Sequence, residues 1–128
     1  TYLILFAEAG LALPSDTSAA ELAGTRGAVL PLAAADSTHI YNQFVVRVAR
    51  GRREALKERL AQLRIGHAVY YPVPLHLQEC FAGLGGKPGD FPEAERAALE
   101  TIALPVFPEL APSQKAFVAY HLAQFSRE

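Results

Sequence analysis

Residues 39–48, HIYNQFVVRV, carry the alternation that decides the class of fold. Ile40, Phe44, Val46 and Val48 fall on one side, and Tyr41, Gln43, Val45 and Arg47 on the other. Successive side chains of a strand point to opposite faces, so this spacing predicts a half-buried strand with one face on a core. The period then changes. In RGRREALKERLAQLRIG, 50–66, Leu56, Leu60 and Leu63 recur at i, i+4 and i+7, the apolar stripe of a helix, and Gly66 follows as the expected C-cap. A strand feeding an amphipathic helix predicts a sheet with helices packed on it.

Toward the C-terminus, AVYY (68–71) reads as a second strand, ended by Pro72 and Pro74 because neither can donate to a ladder. GDFPEAERAALETI (89–102) opens a helix, with Asp90 as N-cap, Glu93 three residues on and Pro92 in the first turn. ALPVFP (103–108) is a short apolar segment between prolines, expected as an edge strand. PSQKAFVAYHLAQF (112–125) closes the chain as a helix with Val118, Leu122 and Phe125 inward.

Toward the N-terminus, residues 2–12 read as a helix with Leu3, Phe6 and Ala7 on one face. PSDTSAAELAGTRG (14–27) is a polar connection in which Ser18 and Glu21 have capping-box spacing but Gly24 stops any helix early. AVLPL (28–32) is a short extended segment. From residue 39 the order is β-α-β-α-β-α, an α/β (α+β two-layer) domain with a small, mostly antiparallel sheet. The expected division is 1–38, N-terminal helix and irregular connection, and 39–128, the folded domain.

The 128 residues suit one domain with a sizeable core, and the composition, half apolar and a fifth charged, is that of a soluble protein. A net charge of −1 argues against a dedicated nucleic-acid binder. No apolar run approaches the ~20 residues of a membrane span. The apolar start is interrupted by Glu8 and lacks a basic n-region, which argues against a signal peptide. The single cysteine, Cys80, excludes an internal disulfide and fits a cytoplasmic setting, where it is expected as a small buried hydrophobe. The chain contains no methionine and opens at Thr1 directly into a helical pattern, as if cut from something longer.

The residues offer little catalytic chemistry. FAGLGGKPGD (81–90) is no phosphate loop, because Lys87 is followed by Pro88 and not by Ser or Thr; Gly83, Gly85, Gly86 and Gly89 are expected as turn glycines. His76 and Cys80 have i, i+4 spacing, but two ligands do not make a metal site, and His39, His67 and His121 add no matching spacing. His39, beside the first strand with Tyr41, is expected as a hydrogen-bonded structural residue. Arg47, Arg50, Arg52 and Arg53 gather at the strand-to-helix turn; they could meet a phosphate, yet a solvated turn balanced by Glu54 and Glu58 is favoured. Lys57, Lys87 and Lys115 sit on polar helix faces or in the glycine loop, where no amine is desolvated enough to be a covalent nucleophile.

One segment stands out. In HAVYYPVPLHLQEC (67–80) the prolines hold the chain extended and stiff after the strand. Tyr70 and Tyr71 are expected on opposite faces, at most one of them packed inward, and His76 sits on the outgoing turn. The residues alone leave two readings open, a rigid binding segment or a proline-rich loop with a structural tyrosine.

As a set, THIYNQFVVRV, REALKERLAQLRIGHAVYYPVPLHLQECFAGLG and KPGDFPEAERAALETIALPVFPEL resemble the C-terminal small domain of the DegT/DnrJ/EryC1/StrS aminotransferases. The resemblance runs from about His39 to Phe125. It implies the small domain of a fold-type I enzyme that uses pyridoxal 5'-phosphate to move an amino group, from a donor such as glutamate, onto a nucleotide-linked keto sugar. In such enzymes the Schiff-base lysine, the aspartate on the pyridinium nitrogen and the phosphate-binding residues belong to the large N-terminal domain. The resemblance therefore implies no catalytic, cofactor-binding or metal-binding residue in this stretch. It implies substrate contact at Tyr70, Tyr71 and His76, and partners in a large domain or a second copy, as a homodimer. Two departures stand out: the segment before His39 is longer than expected, and Ala111 replaces the usual capping Ser or Thr before Pro112. The alternative expectation is a stand-alone, self-associating or protein-binding module derived from that domain, and a weaker one is a nucleotide site at the arginine turn.

Overall fold

The computed structural model describes residues 2–9, 11, 28–29, 36, 38–48 and 51–128. Three strands, β1 (Ala28–Val29), β2 (Phe44–Val48) and β3 (Thr101–Leu104), form one antiparallel sheet in the order β1-β2-β3. Around it lie α1 (Tyr2–Glu8), α2 (Arg53–Gln62), α3 (Pro92–Glu100) and α4 (Pro112–Arg127). Two 3-10 turns, Leu75–Leu77 and Glu79–Leu84, fill the stretch between α2 and α3. The predicted two-layer α/β architecture is the observed one.

The register explains the faces. Phe44 pairs with Leu104 and Val46 with Ile102, and all four are buried on the core side. Val45 pairs with Ala103 and Arg47 with Thr101 on the other side. The alternation at Phe44, Val46 and Val48 therefore holds, but Ile40 is 85 % exposed. Tyr41 has φ of +49°, a left-handed conformation that breaks the alternation before the strand begins. The ring of His39 stacks on Tyr41 at 4.2 Å, and its Nδ1 accepts from the Tyr41 N–H, the structural role expected of it.

Helices α1, α2 and α4 cover the core side. Leu56 and Leu60 of α2 and Val118, Leu122 and Phe125 of α4 are buried as the spacing predicts, with Leu63 partly so. On α1 the buried residues are Tyr2 and Phe6, while Ala7 is exposed. Tyr2 stacks on Phe6 and packs against Phe44, and burial pushes its phenol up to about 12. Ser126 joins β1 to α4: its hydroxyl accepts from the Ala28 N–H and donates to the Leu122 carbonyl.

Several local expectations are corrected. Helix α2 ends at Gln62, and its left-handed cap position falls at Arg64, two residues before the expected Gly66. Arg64 takes the left-handed position at φ +55°, its N–H bonds to the Ala61 carbonyl, and the Ile65 N–H reaches back to Leu60. That pair of bonds is a Schellman ending, and Leu60 and Ile65, which it joins, are both buried in the core. Asp90 does not cap α3; the N-cap is Phe91, without a side-chain bond. The Asp90 carboxylate instead accepts from Lys87 N–H and closes the preceding turn. Pro92 does open α3. At α4 the residue before Pro112 is Ala111, which has no side-chain acceptor, so only the returning Gln114 Oε1 to Ala111 N–H contact forms.

AVYY is not a strand. Ala68 alone exchanges both backbone hydrogen bonds with Ala103, and the chain then leaves the sheet. The third strand begins at Thr101, directly after α3, and Pro105 ends it, so only the front of ALPVFP is extended ladder. Cys80 is exposed and not buried. Arg50, the Leu3 side chain, the Ser18–Glu21 pair with Gly24 and most of AVLPL lie outside the described residues.

Candidate functional site

Beyond Ala68 the chain runs over the sheet face opposite the core. Tyr70 and Tyr71 are 53 % and 63 % exposed, and both line one notch of about 60 Å³ with Gln43, Val45, Thr101 and Ala103. They do not split between two faces as predicted, because Tyr70 and Tyr71 no longer follow a strand ladder. The notch has room for no more than a water or two, far below the few hundred Å³ that enclose a small-molecule ligand. What the tyrosines offer is one wall of a site.

Pro72 and Pro74 carry the chain into the first 3-10 turn. The Leu77 N–H bonds to the Pro74 carbonyl and the Gln78 N–H to Leu75, while the Gln78 amide reaches back to the Val73 carbonyl. His76 turns inward from this unit. Its Nε2 lies 3.0 Å from Glu95 Oε1 on α3, and its ring leans on Phe91 at 4.9 Å. The same Oε1 accepts from the Gly89 N–H at 2.7 Å. The Gly89 N–H, with help from His76 and the Phe91 backbone, holds the Glu95 carboxyl below the usual carboxylate range. Gly85 and Gly89 have left-handed φ, as their turns require. Gly86 is needed for closeness: a Cβ there would sit 2.8 Å from the His76 carbonyl oxygen. Glu95 was not visible as a functional residue in the sequence, since its partners lie 19 and 6 residues away without helical spacing.

Arg47, Arg52 and Arg53, the described members of the arginine cluster, stitch the fold and do not form the solvated turn predicted. Arg47 pairs with Glu100 at 2.5 Å and lies 3.7 Å from Glu93. Arg52 donates to the Phe125 carbonyl and lies over the Phe125 ring at 4.4 Å. Arg53 donates to the Ala98 carbonyl and pairs with Glu54, one of the two expected partners. Backbone carbonyls and carboxylates thus take up donors of Arg47, Arg52 and Arg53, while Arg47 Nη2 is buried without a partner among the described residues.

Two wider grooves lie away from the tyrosines. One, about 420 Å³, runs between the end of α2 and the start of α4, lined by Ile65, Pro105, Phe107, Leu110 and Phe117. The other, about 500 Å³, lies between α2 and α4 and includes Arg59, His121, Phe125 and Glu128. Among the described residues no three metal-ligating side chains converge, and no helix is long and apolar enough to cross a membrane.

The residues present do not fit a coenzyme held through a lysine. Lys57 is paired with Glu54 at 2.6 Å, Lys87 is exposed on the glycine turn, and Lys115 lies partly exposed in the first turn of α4. None lines any of the three depressions described. A covalent coenzyme site needs a desolvated amine, and these have none.

Comparison with known proteins gives this wall a context. Residues 15–123 match the DegT/DnrJ/EryC1/StrS aminotransferase family, reaching further toward the N-terminus than the motifs from His39 onward. The chain is 45 % identical over 89 residues to a pleiotropic regulatory protein of Geobacillus stearothermophilus. It is 37 % identical over 89 residues to a dTDP-3-amino-3,4,6-trideoxy-alpha-D-glucose transaminase of Streptomyces venezuelae. Each match takes in 70 % of this chain but 23 % of the relative, so the chain spans about a quarter of the length of these proteins. In three dimensions it superimposes on S. venezuelae DesV, solved in complex with a ketimine intermediate, with a TM-score of 0.77 and 30 % identity. That alignment covers 99 % of this chain and 31 % of the other. The family match and the superposition agree, and the chain belongs to the DegT/DnrJ/EryC1/StrS aminotransferase family.

Proposed function

We propose that these residues form the C-terminal small domain of a sugar aminotransferase, which supplies substrate contact and closure while the coenzyme is held by another part of the enzyme. The observation that carries this reading is the pairing of two exposed, braced tyrosines with the lack of any enclosed lysine. In this reading residues 39–128 are the domain proper, and 1–38 lead into it while adding α1 and β1 to its core and sheet. The complete enzyme moves an amino group from an amino acid such as glutamate to a nucleotide-linked keto sugar. Pyridoxal 5'-phosphate supplies the electron sink for that chemistry in the rest of the protein.

Within these residues the work is binding and exclusion of water. Tyr70 and Tyr71 present ring faces and phenol hydroxyls, which suit the mixed apolar and hydroxylated surface of a nucleotide-linked sugar. His76 contributes from behind, through the turn that it anchors. An exposed apolar run, Val73, Leu75, Phe81, Leu84 and Phe91, suits a large domain or a second copy of the chain as its partner. The family and the absence of a membrane-crossing helix among the described residues favour a cytoplasmic setting.

The test is titration of the chain with a thymidine diphosphate-linked sugar, followed by NMR. Shifts centred on Tyr70 and Tyr71 are expected; no shift at either tyrosine at millimolar ligand would contradict the reading. The same apolar run favours a second reading, an independent self-associating module. Sedimentation that finds a monomer at high concentration removes it.

A further inference from the structure

Two points hold the segment that displays the tyrosines. One is the Ala68–Ala103 bridge at the sheet; the other lies past the prolines, at Glu95. Between them, residues 73–78 form one braced unit, closed by the Leu77 and Gln78 N–H bonds and by the Gln78 side chain on Val73. Tyr70, Tyr71 and Pro72 make no such bonds among the described residues, so their placement depends on where the braced unit is pinned.

We propose that Glu95 is a positioning residue for the Tyr70–His76 segment: its Oε1 draws His76 and the Gly89 backbone onto the first turns of α3 and so fixes how the two tyrosines face a ligand. This rests on the reading that Tyr70 and Tyr71 meet the substrate. Four residues, His76 from the tyrosine segment and Gly86, Gly89 and Phe91 from the stretch before and at the start of α3, converge on the latch. His76 Nε2 and Gly89 N–H share one carboxylate oxygen at 3.0 and 2.7 Å. The Phe91 ring flanks the imidazole, and Gly86 lets the glycine turn close against the His76 backbone.

The chemistry of the pair sets the state of the histidine. An ionised carboxylate only accepts, so the His76 proton sits on Nε2 and points at Glu95. Nδ1 has no protein partner among the described residues. The imidazole is therefore committed to Glu95 through Nε2, and what it can still offer a ligand is an acceptor at Nδ1. An unprotonated Nδ1 accepts a hydrogen bond from a hydroxyl and has no proton to donate to a phosphate. Glu95 touches no substrate in this scheme; it acts through His76 and Gly89.

The experiment uses the full 128-residue chain with Glu95→Ala, Glu95→Gln, His76→Ala and the Glu95→Ala/His76→Ala pair. In the unaltered chain, nitrogen NMR of His76 should show the Nε2–H tautomer. Glu95→Ala should speed amide exchange at Leu77 and Gln78 by about tenfold, the loss of one hydrogen bond to a charged group, while Val46 and Ile102 in the sheet stay unchanged. The effects of Glu95→Ala and His76→Ala should combine to less than their sum in the double variant, because the His76–Glu95 contact is lost in each, while only Glu95→Ala also frees the Gly89 N–H. Glu95→Gln, whose amide oxygen can accept in the same place, should restore most of the protection and keeps the test valid if alanine impairs folding.

The second arm is affinity for a thymidine diphosphate-linked sugar. Glu95→Ala should weaken binding by about tenfold if one such contact is lost, with most of it recovered by Glu95→Gln. Unchanged exchange at Leu77 and Gln78 in Glu95→Ala, or additive effects in the double variant, would overturn the latch. Faster exchange with unaltered affinity would overturn the positioning role. If the unaltered chain binds no such sugar, the substrate reading fails, and the exchange data still decide whether Glu95 holds the segment.

Discussion

Arg47, in the middle strand, and Glu100, the last residue of α3, meet with Nε 2.5 Å from Oε2, their side chains 18 % and 16 % exposed. The contact fixes the end of α3 against the sheet just where the chain turns into β3. It also holds the helix that carries Glu95.

Glu100→Ala should therefore destabilise the chain by about 2 kcal/mol, between the values for exposed and for buried ion pairs. Arg47 would keep only the longer contact to Glu93, and its Nη2 already lacks a partner among the described residues. Replacing both residues, as Arg47→Met/Glu100→Leu, should recover most of the loss, since an apolar pair avoids the stranded charge. Urea unfolding of the three variants measures both values.

Arg64 occupies a left-handed position at φ +55° that glycine takes without steric cost. Arg64→Gly should raise stability by roughly 1 kcal/mol, the usual penalty of a non-glycine residue there. Thermal unfolding at fixed pH reads the gain; a loss would mean that the Arg64 side chain makes a contact that outweighs its backbone strain.

These two sites also show where the sequence is legible. The leucine stripe of α2 locates the helix, because burial of Leu56 and Leu60 follows from period alone. Its end is misplaced, because glycine is only the cheapest cap and Arg64 is held there by the Ile65–Leu60 backbone bond. In the same way Phe44, Val46 and Val48 are legible as one face, while Ile40 is not, since a single left-handed Tyr41 resets the alternation. AVYY has strand composition, but Ala103 offers it one residue of pairing and prolines follow. At the candidate site the tyrosines and His76 are conspicuous in the sequence. Glu95 is not, because its role depends on the glycine turn folding back over α3.

Acid should act on Glu95 in a defined direction. Its folded-state carboxyl is held below the ordinary range, first by the Gly89 N–H and then by His76 and Phe91. A depressed carboxyl contributes stability that is complete above the ordinary glutamate value, about 4.3. That contribution is lost as pH falls through the lower folded value. Glu95→Gln should flatten the decline in stability below about pH 4. Glu54, held low by Lys57 and Arg53, and Glu128, held low by Arg59, remain in both proteins, so the difference isolates Glu95.

The central claim is that these residues hold substrate and close a site without holding the coenzyme. Incubation of the chain with equimolar pyridoxal 5'-phosphate, borohydride reduction and intact-mass analysis tests it most directly. The account predicts only scattered, substoichiometric labelling of Lys57, Lys87 and Lys115. A single lysine labelled to completion, and protected by a nucleotide-linked sugar, would contradict it.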